Sequence, residues 1–136
     1  MRPGAWLAWR RHWPQVARLG VVPAGMLLNA GLKTVFHRPR PQLGDPLVHL
    51  LTLSFPSGHA AGSTVFYGAL CALAFARWRR RSIRVTVVVL AAGMVLLVTF
   101  SRVYLGAHYL SDVVAGVALG GICLALALAP WRAQAR

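Results

Sequence analysis

Two histidines in this 136-residue chain stand in settings that suit catalysis. His59 closes the run Pro56-Ser57-Gly58-His59, immediately ahead of an apolar segment. Ser57 is a natural helix cap, and Gly58 lets a ligand approach the backbone closely. A helix N-terminus offers free N–H groups and a partial positive charge, which suits a phosphate. His108 stands four residues ahead of Asp112. If that stretch is helical, the two share one face. A carboxylate beside one imidazole nitrogen fixes the tautomer and leaves the other nitrogen free to attack. The plainer alternatives are a capping turn with an incidental histidine at 59, and a capping acid at 112.

Three cations accompany them: Lys33, Arg40 and Arg102, each at the edge of an apolar segment. A phosphoryl group in transfer spreads charge over its oxygens, and fixed cations stabilise it. Taken singly, each could be a cation snorkelling at a membrane interface. Acids are scarce, with 2 Asp plus Glu against 15 Lys plus Arg, and the two are Asp45 and Asp112. Magnesium or calcium sites draw on several oxygen ligands, usually carboxylates, so two acids far apart in sequence make a poor start for such a site. Five histidines leave a transition metal open on composition alone.

The elements that must position these groups are apolar. The chain is 57% hydrophobic and 12% charged, against about 25% charged in a soluble domain. Four hydrophobic segments run roughly from Val16 to Phe36, Ala60 to Ala76, Val85 to Phe100 and Val113 to Ala129. The first is the weakest, interrupted by Arg18, Pro23, Asn29 and Lys33. Each strict run lies near the lower limit of about 17 residues for a spanning helix, and flanking arginines extend the effective length by snorkelling. A buried soluble bundle would need a polar face that these runs lack. The reading is a single all-α domain over residues 1–136, a transmembrane helical bundle of about four spans. Cys71 and Cys123 fall inside apolar runs and read as buried thiols packed as small hydrophobes.

Charge orients the bundle. Arg2, Arg10 and Arg11, then Arg77, Arg79, Arg80, Arg81 and Arg84, then Arg132 and Arg136 fall on one side of four spans. Lys33, Arg38, Arg40 and Arg102 fall on the other. The excess of basic residues marks the cytoplasmic side, so both termini are expected there. Trp6, Trp9, Trp13, Trp78 and Trp131 suit interfacial anchoring on that side. Every candidate reactive residue then gathers at the opposite, extracytoplasmic face, contributed by the ends of four segments.

The pattern K-x6-R-P at Lys33, Arg40 and Pro41, P-S-G-H at Pro56 to His59, and S-R-x5-H-x3-D at Ser101, Arg102, His108 and Asp112 resembles the type 2 phosphatidic acid phosphatase family. This family of lipid phosphate phosphatases is related to the vanadium-dependent haloperoxidases. The motifs are complete, in order, and span residues 33 to 112. The resemblance implies an acid phosphatase/vanadium haloperoxidase-like fold and a metal-independent phosphatase of the inner membrane. It implies that His108 attacks phosphorus to form a phosphohistidine, that Asp112 orients it and that His59 protonates the leaving oxygen. Lys33, Arg40, Ser57, Gly58 and Arg102 would hold the phosphate. The expected partners are a lipid phosphate or isoprenoid diphosphate, such as undecaprenyl diphosphate, and membrane lipids. Members commonly have six spans, two of them ahead of the segment that ends in the first motif. This leaves a minimal member, a shortened gene product, or a chain that completes its bundle as a homo-oligomer.

Other classes fit less well. A silent binder of anionic headgroups needs no nucleophile, a haloperoxidase would not need the membrane segments, and a nucleic-acid binder would not split its arginines across two membrane faces. The charge asymmetry has a direct test. A cysteine replacing Gly44 should react with an impermeant thiol reagent in intact cells, and one replacing Ser82 should not; the reverse pattern would overturn the orientation.

Overall fold

The computed structural model describes residues 23–41 and 53–134, and they are all-helical. The helices are α1 over residues 23–36, α2 over Gly58–Arg77, α3 over Arg81–Tyr104 and α4 over Leu110–Gln134. Among the described residues, three helices are long and apolar enough to cross a membrane: Gly58–Arg77, Arg81–Tyr104 and Leu110–Ala129. The part of the first hydrophobic segment at 16–22 lies outside the described residues, as does most of the loop that follows it.

The helices overrun the apolar runs at both ends because polar residues carry the hydrogen bonding on. Ser57 caps α2 through its side chain, which accepts from the Ala60 N–H, as its position before the apolar segment leads one to expect. The other end of α2 stops at Trp78, and α3 begins three residues later. Arg84 reaches back across this hairpin and donates to the Trp78 carbonyl at 2.8 Å and the Phe75 carbonyl at 3.0 Å. A cation at a helix C-terminus satisfies orphan carbonyls and opposes the helix dipole. The arginine-rich link therefore closes a hairpin as well as contributing charge.

Helix α3 also runs further than its apolar stretch, so Ser101 and Arg102 form its last turn rather than part of a link. It ends where Gly106 takes a left-handed conformation, φ 66°. The N–H groups of Leu105 and Gly106 bond to the carbonyls of Ser101 and Val103. Glycine suits this position because it lacks the Cβ that penalises positive φ. His37 ends α1 in the same region, at φ 45°, unusual for a residue with a Cβ.

Helix α2 packs against both α3 and α4, which meet each other only over a short stretch. The α2–α4 contact is close because α4 presents glycine. A Cβ at Gly116 would stand 2.4 Å from the Ser57 carbonyl oxygen, and one at Gly120 would stand 2.5 Å from that of Ala61. Small residues that let backbones approach are a means by which helices associate in lipid, where apolar area alone gives little drive. Helix α1 touches α4 at Gly25, beside the buried Cys123. Both cysteines are free thiols, with Cys71 half-buried and Cys123 buried. Helix α3 buries no residue, and Val89, Leu90, Leu96 and Phe100 point outward, as expected of side chains solvated by lipid.

The tight crossing predicts an asymmetry between neighbours. Gly120→Leu should lower the thermal midpoint in detergent, since overpacking costs about 1–3 kcal/mol. Gly121→Leu, where a Cβ meets nothing within 4 Å, should leave the midpoint close to that of the unaltered protein. Equal effects at the two positions would contradict the packing account.

Candidate active site

Four chain segments converge at one end of the bundle: the extended stretch after α1, residues 53–57 ahead of α2, the last turn of α3, and the turn leading into α4. Their meeting point is Asp112, whose side chain is fully buried. One oxygen, Oδ1, accepts from Arg38 Nη1 at 2.9 Å. The other, Oδ2, accepts from the Ser54 hydroxyl and from the Tyr109 N–H, the latter at 2.9 Å. The Asp112 carbonyl accepts from the Ser57 N–H at 2.9 Å, tying the start of α2 to the start of α4.

His108 does not lie on the helix with Asp112. It occupies the turn before α4, which begins at Leu110. The expectation of a shared helical face is thus corrected in its mechanism, although the two residues do meet: Nδ1 of His108 stands 3.6 Å from Oδ2 of Asp112. The turn brings them together because the N–H groups of Ala107 and His108 both bond to the Arg102 carbonyl, folding the chain back after Gly106. Asp112 also reaches back to the N–H just ahead of its helix, as the acid of a capping box does. The capping role and the site role coexist in one carboxylate.

On the other side of the ring, Arg40 Nη1 lies 3.4 Å from His108 Nε2 and donates to the Ala107 carbonyl at 2.5 Å. A guanidinium only donates. The Nε2 contact therefore calls for a lone pair there, which places the ring proton on Nδ1, facing Asp112. Burial pushes the His108 pKa down to about 4, with help from the positive charges of Arg40 and Lys33; Asp112 pulls the other way. The Ser54 carbonyl also favours the protonated ring, but it lies outside strict hydrogen-bond geometry, since Nδ1 has no hydrogen-bond partner. The outcome is a neutral imidazole with its lone pair aimed among cations, the state a nucleophile requires.

The remaining candidates are placed as follows. Lys33 donates to the Leu53 carbonyl at 2.6 Å, bracing the segment ahead of α2. Ser57 is fully buried, while Gly58 and His59 are exposed at the first turn of α2. By helix geometry that turn carries N–H groups with no intrahelical acceptor. The Arg102 side chain bonds to Ser101 at 3.2 Å, and its backbone carbonyl holds the His108 turn. Asp45 lies outside the described residues. Among the described residues, no group of three His, Cys, Asp or Glu side chains is arranged to hold a metal ion.

Sequence reasoning placed Arg38 among the basic residues of this face without a role in the site, and gave Ser54 no place at all. Arg38 stands two residues before Arg40 in an extended stretch, and period two puts alternate side chains on the same side. That signal was available in the sequence. Ser54 has no comparable signal, because its place depends on a tertiary contact in which its N–H bonds to the Arg38 carbonyl at 2.9 Å.

Known proteins resemble this chain in sequence and in fold. The family profile described as the PAP2 superfamily matches residues 16–135. Phosphatidylglycerophosphatase B of Bacillus subtilis is 36% identical over 113 residues, covering 82% of this chain and 55% of that protein. A lipid A 1-phosphatase of Rhizobium etli is 44% identical over 110 residues, covering 74% of this chain and 43% of that protein. The crystal structure of a transmembrane PAP2 type phosphatidylglycerolphosphate phosphatase from Bacillus subtilis superposes with a TM-score of 0.78 at 30% identity, covering 98% of this chain and 66% of that chain. The chain thus spans about half the length of these two sequence relatives.

The electrostatics of the cluster set a titration. His108 should remain neutral from pH 7 downward and take up its proton only as the pH falls through about 4. Histidine-selective ¹⁵N NMR, with the signal assigned by His108→Gln, measures this. A midpoint near the ordinary imidazole value would contradict the account.

Proposed function

Because the chain belongs to the PAP2 superfamily, we propose that it is a membrane phosphatase that hydrolyses a lipid phosphate or isoprenoid diphosphate through a phosphohistidine, without a metal. The observation that carries this reading is the buried His108 ring held between Arg40 and Asp112. In the proposed reaction, His108 Nε2 attacks phosphorus and the bond from phosphorus to the lipid oxygen breaks. His59, exposed at the start of α2, gives its proton to that leaving oxygen. A water then transfers a proton back to His59 while its oxygen attacks the phosphohistidine. Inorganic phosphate leaves, and the His108 lone pair is restored.

Lys33, Arg40 and Arg102, with the Ser57–Gly58 turn at the N-terminus of α2, are the groups proposed to hold the phosphate oxygens. They supply fixed positive charge beside the oxygens that carry the negative charge of the transition state, usually the largest single contribution to such catalysis. Asp112, the one acid of the cluster among the described residues, is engaged by Arg38, Ser54 and Tyr109. A lipid substrate is supported by an apolar groove of about 670 Å³ between α3 and α4. Val103 and Leu110, which flank the His108 turn, line one part of it, and Leu96, Phe100 and Val117 line others. Several relatives are named for lipid phosphates, phosphatidylglycerophosphate and lipid A among them. The proposed location is the cytoplasmic membrane, with the site on the extracytoplasmic face.

The two histidines should fail differently. His108→Ala removes the nucleophile and should abolish turnover of every substrate. His59→Ala removes only the proton donor, and general acid catalysis contributes about 10²–10⁴-fold, less when the leaving group is stable as an anion. The His59 variant should therefore keep measurable activity on p-nitrophenyl phosphate while losing most activity on a lipid monophosphate, with a diphosphate in between. Activity in the His108 variant that tracked leaving-group quality would reverse the two roles.

A further inference from the structure

The groups that hold Asp112 are not among those expected to touch phosphate. Arg38 is locked on three sides: its Nη1 donates to Asp112 Oδ1 at 2.9 Å and to the Ser111 hydroxyl at 2.7 Å, and its guanidinium lies 4.3 Å from the centre of the Tyr109 ring. Ser54, fully buried, donates to the other carboxylate oxygen. Arg40, two residues along the same extended stretch, reaches the far side of the imidazole. The segment Arg38-Pro39-Arg40 thus straddles the His108–Asp112 pair, with one guanidinium at each end. Asp112 Oδ2 faces His108 Nδ1 across 3.6 Å. The ring is consequently steadied by a carboxylate whose own orientation is imposed by other side chains.

We propose that Arg38 and Ser54 are positioning residues, which fix the orientation and balance the charge of the Asp112 carboxylate and through it set the tautomer of His108. The proposal rests on the phosphatase reading for its kinetic consequence, though the tautomer does not depend on that reading. A buried carboxylate needs both a counter-charge and full hydrogen bonding. Without Arg38, the carboxylate would be left to neutralise itself or to turn away, and in either case the Nδ1 proton loses its preferred side. Groups that orient the partner of a reactive imidazole typically affect function by about 10–100-fold when removed, as in metal sites.

A double-mutant cycle on the full chain tests this. Arg38→Ala should lower kcat on p-nitrophenyl phosphate by about 10–100-fold, with KM changed by no more than about threefold, because an interaction felt only in the transition state leaves KM alone. Arg38→Lys keeps the charge but loses the fork, and should recover part of that loss. Ser54→Ala should behave like a milder Arg38→Ala. In an Asp112→Asn background, Arg38→Ala should cost only about threefold or less, since the group it serves has gone. Equal losses in both backgrounds, or a large rise in KM with kcat unchanged, would overturn the proposal and make Arg38 a direct phosphate ligand. If Arg38→Ala does not fold, as judged by its helical signal in detergent, Arg38→Lys carries the cycle. A separate readout holds even if the protein hydrolyses nothing: ¹⁵N shifts of His108 should report a proton on Nδ1 in the parent and a loss of that preference in both Arg38 variants and in Ser54→Ala. An unchanged tautomer in all three would sink the idea without bearing on the phosphatase reading.

Discussion

A single buried carboxylate holds this end of the molecule together. Asp112 has no solvent exposure, and its two oxygens and its carbonyl accept from Arg38, Ser54, Tyr109 and Ser57. Those donors come from the stretch after α1, the segment before α2, the start of α2 and the turn before α4. Apolar packing reaches these segments in places, as where Phe36 meets Phe55 with ring centres 4.7 Å apart, but their polar backbone and side chains are drawn together at the carboxylate. Stranding a buried carboxylate is costly, and loss of Arg38, whose own side chain is 38% exposed, would leave Asp112 in that state. The arrangement is therefore specific: a loop that moves away leaves an unsatisfied charge behind it.

The helices supply the rigid frame for that junction. The glycines of α4 let α2 come within backbone contact at Ser57 and Ala61, so the capped N-terminus of α2 and the turn before α4 cannot drift apart. Gly116 lies at the same crossing as the Ser57 carbonyl. Helix packing and the position of the N-terminal turn of α2 are consequently one constraint. Helix α3 contributes differently: its outward faces are left to lipid, and its last turn offers the Arg102 carbonyl to His108.

Much of this was legible in the sequence, and the boundary of legibility is physical. The apolar runs marked α2, α3 and α4 because lipid-facing helices leave a composition signal that does not depend on their neighbours. The Ser57 cap was legible because capping is local. The meeting of His108 and Asp112 was foreseen, but through helix periodicity; the structure achieves it through a glycine-terminated helix and a turn held by one carbonyl. Gly106 carried that signal in its place just beyond the last apolar turn. Arg38 and Arg40 have the same charge and neighbouring positions, and only their partners distinguish the one that meets Asp112 from the one that meets His108. Partners of that kind are tertiary facts, and Ser54 likewise acquires its role only when its strand-like segment pairs with Arg38.

The cluster also reconciles two demands that conflict. A phosphate site must be strongly cationic, yet a nucleophilic imidazole must stay unprotonated and still be basic enough to attack. Burial lowers the proton affinity of His108, and Arg40 and Lys33 lower it further. That keeps the ring neutral, at the expense of nucleophilic strength. A bound phosphate dianion reverses part of this, because its charge offsets the same two cations that depressed the ring. Asp112 favours positive charge on the ring throughout, and positive charge is what the imidazole acquires as a bond forms to phosphorus. Under the proposed reaction, the cations would thus hold the nucleophile in reserve until the substrate neutralises them, and the carboxylate would stabilise the charge that appears as the ring reacts. Both effects require Arg40 and Asp112 to remain on opposite sides of the ring, which is the geometry that the Arg38-Pro39-Arg40 stretch imposes.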